Sequence, residues 1–523
     1  MKPPCDEGVI HSGTSPLPCG PASGPWILAA TILGSSMAFI DGTVVNVALP
    51  ALQSSFHATV VDVQWVIEVY GLCLAALILV GGALGDSLGR RLVFLLGVTV
   101  FSAASVACGA SSSIGHLLIW RGVQGVGAAF LVPSSLAIIS AAFDESSRGR
   151  AIGTWSGFTA ITTALGPVLG GWLIENVSWR WAFFINVPLA IIVIAVSLRH
   201  IPESRSAVAK RLDWPGAVLA TVCMGGMVYG FIESEALGWG NPRVFGSVLT
   251  ALACLVLFAI VEARAASPMV PLTLFNSRSF AGANLLTLAL YAALGIFFFL
   301  FPMNMIQVQG YSATAAGACA LPAILLMFLL SRWSGGLVTR YGPRIPLILG
   351  PLIAALGFLL FARPSVGGSY WTTFFPAFVV LGFGMSVSVA PLTTVVMSSV
   401  EQDRVGTASG INNAVARVAG VLAVAILGVV MVRAFSYGLQ HWLTNTGLAP
   451  NVMREIQSNA VKLGGLEVPA SLDASKHAIV RLAVVRAFVF GFRVVMLICA
   501  GLAAISAGIA LRMIPARLEE YPR

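Results

Sequence analysis

The sequence is poor in charge. Asp, Glu, Lys and Arg together make up 10% of its 523 residues, where soluble domains carry about a quarter. That is too little to coat a set of water-soluble domains. With 57% hydrophobic residues, the composition is that of a polytopic membrane protein. Lysine is scarcer still, present only as Lys2, Lys210, Lys462 and Lys476. None follows a glycine, so the Gly-Lys ending of a Walker A loop is missing and an ATP engine of that kind is excluded. His11, His57, His116, His200, His441 and His477 fall near loops and form no HExxH, and there is no GxSxG elbow and no CxxC. A membrane-embedded hydrolase or metal enzyme therefore lacks its signatures, and no metal site is expected. Of the cysteines, Cys5 and Cys19 lie near the N-terminus, while Cys73, Cys108, Cys223, Cys254, Cys319 and Cys499 lie in apolar stretches and read as small core residues. The first 25 residues are polar and rich in Pro, Gly and Ser. They lack an apolar h-region and a cleavage site, so no removable signal peptide is expected and the first span directs insertion.

What the chain does have is long apolar runs. A helix needs about 20 apolar residues to cross the hydrocarbon core. Fourteen stretches qualify: 26–48, 63–84, 92–110, 115–141, 153–174, 181–199, 214–232, 244–262, 280–302, 313–331, 345–362, 372–397, 405–432 and 490–512. Connections are short except for 433–489, which is polar and partly amphipathic.

The formal net charge is +9. In a soluble chain this would raise nucleic acid as a partner; here basic loops on one side of a bilayer account for it. With the N-terminus inside, the inner segments hold 18 Lys and Arg, from Lys2 to Arg523, and the short outer loops hold only Arg180, Arg243 and Arg363. The bias places both termini in the cytoplasm and supports an even number of spans.

The loop after the second span reads GALGDSLGRR, Gly82 to Arg91, and the loop after the tenth reads GGLVTRYGPR, Gly335 to Arg344. Both fit G-x-L-x-x-x-x-G-x-R. Each follows the second span of a six-span unit if spans 1–6 and 9–14 are parallel repeats, an arrangement found in secondary transporters. Spans seven and eight are then an insertion.

On these residues the chain resembles the major facilitator superfamily, and within it the fourteen-span drug:proton antiporter family (EmrB/QacA type). The resemblance rests on DGTVVNVALP from Asp41, GALGDSLGRR from Gly82, WRGVQGVGAA from Trp120, ALGPVLGGWL from Ala164, WRWAFFINVP from Trp179, LDWPGAVL from Leu212, VQGYSATAAG from Val308 and GTASGINNAVARVAG from Gly406. Eight motifs in order cover nearly the whole chain. They speak for fold and transport class and not for substrate. The implied fold is an all-α membrane protein of two pseudo-symmetric six-helix bundles plus two inserted helices. Its divisions are a cytoplasmic tail 1–25, a bundle 26–200, a linker with the two inserted helices 201–279, a second bundle 280–512 and a tail 513–523. The second repeat departs from the first, with Thr339 and Pro343 where the first has Asp86 and Arg90; it keeps the turn and loses the charge network.

Charged residues inside spans are the candidates for chemistry. Such a charge costs at least ~2.5 kcal/mol on insertion scales, so an intramembrane acid defaults to function. By helical rise, Asp41, Glu68 and Arg121 lie roughly 10, 8 and 9 Å below the outer ends of spans one, two and four. One polar cluster of two carboxylates and a guanidinium is expected, with Asp41 loading a proton from outside and Glu68 sharing it. The alternative is a buried ion pair that only ties helices together. The resemblance implies that Arg121 assists proton coupling, whereas Glu68 is carried by only part of the family. Arg417 lies deeper, roughly 18 Å into span thirteen, as a partner for an acidic substrate group or for carbonyls. Arg493 reads as an interfacial anchor.

In span five, Pro167 frees the carbonyl of Thr163, and Gly166 and Gly170, with Gly171 beside them, permit close helix approach. Tight packing alone would explain this; the resemblance implies the antiporter motif of exporters. In the loop Gly82–Arg91, Gly85 and Gly89 permit a tight turn, and Asp86 can pair with Arg90 or Arg91. The resemblance implies a cytoplasmic gate latch. Trp65, Tyr70, Phe158, Tyr291 and Met385 are candidate substrate-cavity residues, although most such residues in membrane helices are core or lipid-facing. The combined expectation is a secondary exporter in a bacterial inner membrane, with no cofactor, that exchanges hydrophobic or cationic small molecules for protons. Proton-coupled uptake or facilitated diffusion of a metabolite is the alternative. Segment 433–489 has room for a periplasmic adaptor, but a loop with surface helices is the commoner use of such a segment.

Overall fold

Long α-helices make up most of the chain in this computed structural model, which describes residues 23–143, 145–205, 213–265, 268, 270–400, 405–444, 446, 448–469 and 472–517. Fourteen helices are long: α1 (Gly24–Phe56), α2 (Val60–Leu88), α3 (Arg90–Gly109), α4 (Ile114–Ala142), α5 (Glu145–Asn176), α6 (Asn186–His200), α7 (Trp214–Leu237), α8 (Pro242–Arg264), α9 (Arg278–Met303), α10 (Leu321–Tyr341), α11 (Arg344–Phe361), α12 (Phe375–Ser398), α13 (Val405–Leu443) and α14 (Ala474–Met513). No strand occurs among the described residues. Most of the expected N-terminal tail, and the end of the C-terminal one, lie outside the described residues.

The helix starts follow local chemistry. Ser113 accepts from the backbone N–H of His116 at 3.3 Å to open α4, and Asp473 accepts from that of Lys476 at 2.8 Å to open α14. Each satisfies a donor that the first turn would otherwise leave orphaned.

Among the described residues, thirteen helices are long and apolar enough to cross a membrane. The middle of α5 is rich in hydroxyls and glycine. The hydroxyls of Thr159 and Thr163 bond back to the carbonyls one turn earlier, at 2.9 and 2.6 Å, so their polarity is spent inside the helix.

Two spans outrun their apolar stretches. α13 continues to Leu443 and α14 begins at Ala474. At 40 residues, α14 is roughly 60 Å long, about twice the hydrocarbon thickness. Much of segment 433–489 is thus helix prolonged beyond the apolar run, with a short helix Pro450–Ser458 and a 3₁₀ turn Ala460–Gly465 between. Its buried residues Ile456, Leu463, Leu466 and Val480 supply the apolar contacts.

The chain divides into two units. The first comprises residues 1–45, 66–225 and 250–271; the second comprises 46–65, 226–249 and 272–523. In the first, α3 packs along α4, and α6 lies against α3. In the second, α11 packs along α12 and α14, and α9 packs along α13 and α14. The core of the second unit includes a stack of phenylalanines. Phe297 of α9 sits 4.7 Å from Phe361 and 5.9 Å from Phe358, both of α11, and 5.9 Å from Phe378 of α12, centroid to centroid. Phe301 joins Phe378 at 4.9 Å. Most of these contacts are edge-on or tilted, the arrangement the ring quadrupole favours.

Candidate functional site

The first unit buries charge instead. Asp41 on α1 and Arg121 on α4 are 0% and 1% exposed. Arg121 Nη1 donates to Asp41 Oδ2 at 2.5 Å and to Gln124 Oε1 at 2.8 Å. Gln124, one helical turn along from Arg121 and on the same face, donates through Nε2 to Asp41 Oδ1 at 2.8 Å. Both carboxylate oxygens of Asp41 are therefore occupied. Arg121 Nε donates to the carbonyl of Val66 on α2 at 3.0 Å. The Tyr70 ring lies 4.2 Å from the guanidinium carbon, a cation–π contact, and its hydroxyl donates to the carbonyl of Ala38 at 3.2 Å.

A second layer holds the first. Gln124 Nε2 also donates to Ser105 Oγ of α3 at 3.2 Å. Asn186 of α6 donates to the same oxygen at 2.9 Å, and Ser105 in turn donates to the Phe183 carbonyl at 2.9 Å. Helices α1, α2, α3, α4 and α6 thus meet in one buried network, which low dielectric makes strong when satisfied and costly when broken. Gln124, Ser105 and Asn186 do not stand out in the sequence. Neutral polar residues barely register in hydropathy; the available signal was the three-residue spacing of Arg121 and Gln124.

Glu68 does not join them. It is 0% exposed, and neither carboxyl oxygen has a hydrogen-bond partner. The expected single cluster is thus an Asp41–Arg121 pair plus a separate bare acid. Similar depth on neighbouring helices did not bring Glu68 to the guanidinium, because depth does not fix which way a side chain points.

The Gly82–Arg91 turn is built around charge. Asp86 Oδ1 accepts from Arg90 Nε at 3.0 Å and Nη2 at 2.8 Å. Glu203, beyond α6, accepts from the backbone N–H groups of Arg91 and Leu92, both at 3.0 Å, at the positive end of α3. Gly89 has φ 126°, and a Cβ there would lie 2.7 Å from Glu203 Cδ. Any other residue would be strained and would displace Glu203. Gly82 and Gly85 lie beside Pro133 and Ser134 of α4. Glu203 was invisible in the sequence as a site residue, since an acid in a polar connection looks like any solvated one. The corresponding turn Gly335–Arg344 has no carboxylate. Gly342 has φ 73° and sits against the Ala516 carbonyl, and Arg344 Nε donates to the carbonyl of Leu511 at 3.1 Å.

Gly166 and Gly170 of α5 face α1. A Cβ on Gly166 would collide with Thr43 Oγ1, and one on Gly170 would lie 2.6 Å from Val44 Cγ1. Gly171 is buried and Pro167 half-buried beside them. The remaining candidates scatter. In the first unit Phe158 is 52% exposed. In the second, Met385 is buried, Tyr291 and Arg417 are half-buried, and Trp65 donates through Nε1 to Glu233 Oε1 at 2.9 Å. Arg493 donates to the carbonyls of Arg363 and Pro364 at 3.2 and 3.1 Å, a tie from α14 to the segment after α11.

The family model of the Major Facilitator Superfamily matches residues 31–424. The chain is 35% identical over 441 residues to the multidrug resistance protein Stp of Mycobacterium tuberculosis, covering 82% of this chain and 78% of that one. It is 32% identical over 520 residues to the tetracenomycin C resistance and export protein of Streptomyces glaucescens, covering 97% and 94%. Among solved structures, a bacterial homologue of the human lysosomal transporter Spinster superposes with a TM-score of 0.62 at 17% identity, covering 94% of this chain and 97% of that one.

Proposed function

This chain belongs to the Major Facilitator Superfamily and is a secondary transporter, not an enzyme; on that footing we propose that it exports hydrophobic or cationic small molecules in exchange for protons by alternating access. Relatives named for multidrug resistance and for tetracenomycin C resistance and export support the direction and the cargo class. The bias of basic residues supports cytoplasmic termini, in a bacterial inner membrane. The α1–α2 end then faces outward and the α2–α3 turn faces inward.

The observation that carries the coupling is the contrast between the two buried carboxyls. A carboxylate with no donor bears the whole cost of its lost hydration, several kcal/mol even after relaxation. Glu68 occupies its site at little cost as a neutral acid and ionises on contact with water. It is therefore the group that loads and unloads the proton. Asp41 is held by Arg121 and Gln124; it fixes the guanidinium against the carbonyl of Val66 on α2, two residues before Glu68. The pair is the second point at which charge holds α1, α2 and α4 together. The Asp86–Arg90 turn, locked by Glu203, is the inner latch, and the glycine face of α5 against α1 is the surface that must slide as the gates exchange.

The test is uptake of a lipophilic cation, ethidium, into inverted membrane vesicles with an imposed pH gradient. The reading expects uptake that a protonophore abolishes and that ATP does not restore. Uptake that survives collapse of the gradient would overturn it.

A further inference from the structure

The inserted helix α7 carries an acid that neither the ion-pair network nor the gate turn uses. Glu233 lies one turn before the end of α7, and Trp65 lies near the start of α2; each is half-buried. Trp65 Nε1 donates to Glu233 Oε1 at 2.9 Å. Tyr229, one turn back on α7, places its ring 6.3 Å from the Trp65 ring at an interplanar angle of 48°. Ion pairs among the described residues include Asp86–Arg90, Arg91–Glu203, Asp41–Arg121 and Lys476–Asp473; Glu233 is in none of these. Around this corner the packing is firm: Val61 of α2, Val228 and Ile232 of α7, and Val421 and Ala425 of α13 form one buried cluster, with Trp65 against it.

We propose that Trp65, Tyr229 and Glu233 form a recognition subsite for organic cations at the α2–α7 corner. A carboxylate without a basic partner attracts positive charge, and two aromatic faces beside it attract a diffuse cation through their quadrupoles. The Trp65 bond orients the indole and leaves Glu233 Oε2 for the ligand. A protonated amine or a phosphonium with apolar substituents meets all three groups at once. A mere tie between α7 and α2 needs the Trp65 bond only and has no use for the charge. The proposal rests on the exporter reading only in taking this cation as cargo.

The experiment measures binding of tetraphenylphosphonium to the purified full-length protein in detergent by equilibrium dialysis, with no gradient and no transport. Glu233→Gln keeps an acceptor for Trp65 and removes the charge. It is expected to weaken binding about tenfold, and Trp65→Phe by about threefold, as loss of charge and of the better π face requires. Glu233→Asp keeps the charge and is expected to retain most of the affinity. A single symmetrical size-exclusion peak certifies each variant as folded. No binding to the wild type, or Glu233→Gln binding within twofold of it, overturns the subsite. Loss of gradient-driven uptake with this binding intact would instead sink the exporter reading and leave the subsite standing.

Discussion

The two repeats place opposite materials at corresponding positions. In the first, α1, α3 and α4 meet through Asp41, Ser105, Arg121 and Gln124. In the second, α9, α11 and α12 meet through Phe297, Phe361 and Phe378. The same division holds at the two turns, where Asp86–Arg90 and Glu203 stand against Gly342 and Arg344. A phenylalanine stack has one charge state and one best packing. A buried ion pair has two charge states with different hydrogen bonds. On the proposed reading the first unit switches and the second gives rigid support.

The largest expected effect comes from unbalancing the first unit. Asp41→Asn leaves Gln124 an acceptor but strands a guanidinium in a dry site, and breaking a buried pair in this way costs about 3–5 kcal/mol. A marked fall in the thermal unfolding midpoint in detergent is expected, together with loss of transport. A variant as stable and active as the wild type would remove the distinction between the units. Phe378→Ala removes one ring from the stack at a cost of about 3 kcal/mol, but transport per folded molecule is expected to persist. If this substitution abolishes transport while the protein stays folded, support is the wrong role for the second unit. Asp86→Asn should be the mildest in stability. Its side chain is 44% exposed and such pairs contribute about 0–1 kcal/mol, so the midpoint should hardly move while the uptake rate falls. An unchanged rate would reduce the turn to a topological anchor.

Much of this architecture was legible in the sequence because membrane helices must satisfy their own backbone, so apolar length alone marks them. Where that logic failed, the reason was local. α13 and α14 continue past Arg433 and before Phe490 because a helix outside the hydrocarbon needs only an amphipathic contact, such as that of Val480. In the site, helical rise gave Asp41 and Arg121 the same depth, and they meet. The same rise gave Glu68 that depth too, yet it stands apart, because rotation about the helix axis depends on packing that one sequence does not display. Gln124, Asn186 and Glu203 were hidden for a different reason: their importance lies in what they bond to, not in what they are.

The most direct test of the central claim is proton-driven uptake in inverted vesicles by Glu68→Gln, beside a gradient-free exchange of labelled for unlabelled substrate. A neutral carboxamide mimics the loaded acid and cannot release the proton. The account predicts that exchange survives and that the imposed pH gradient no longer drives accumulation. Accumulation at the wild-type level by this variant would contradict it.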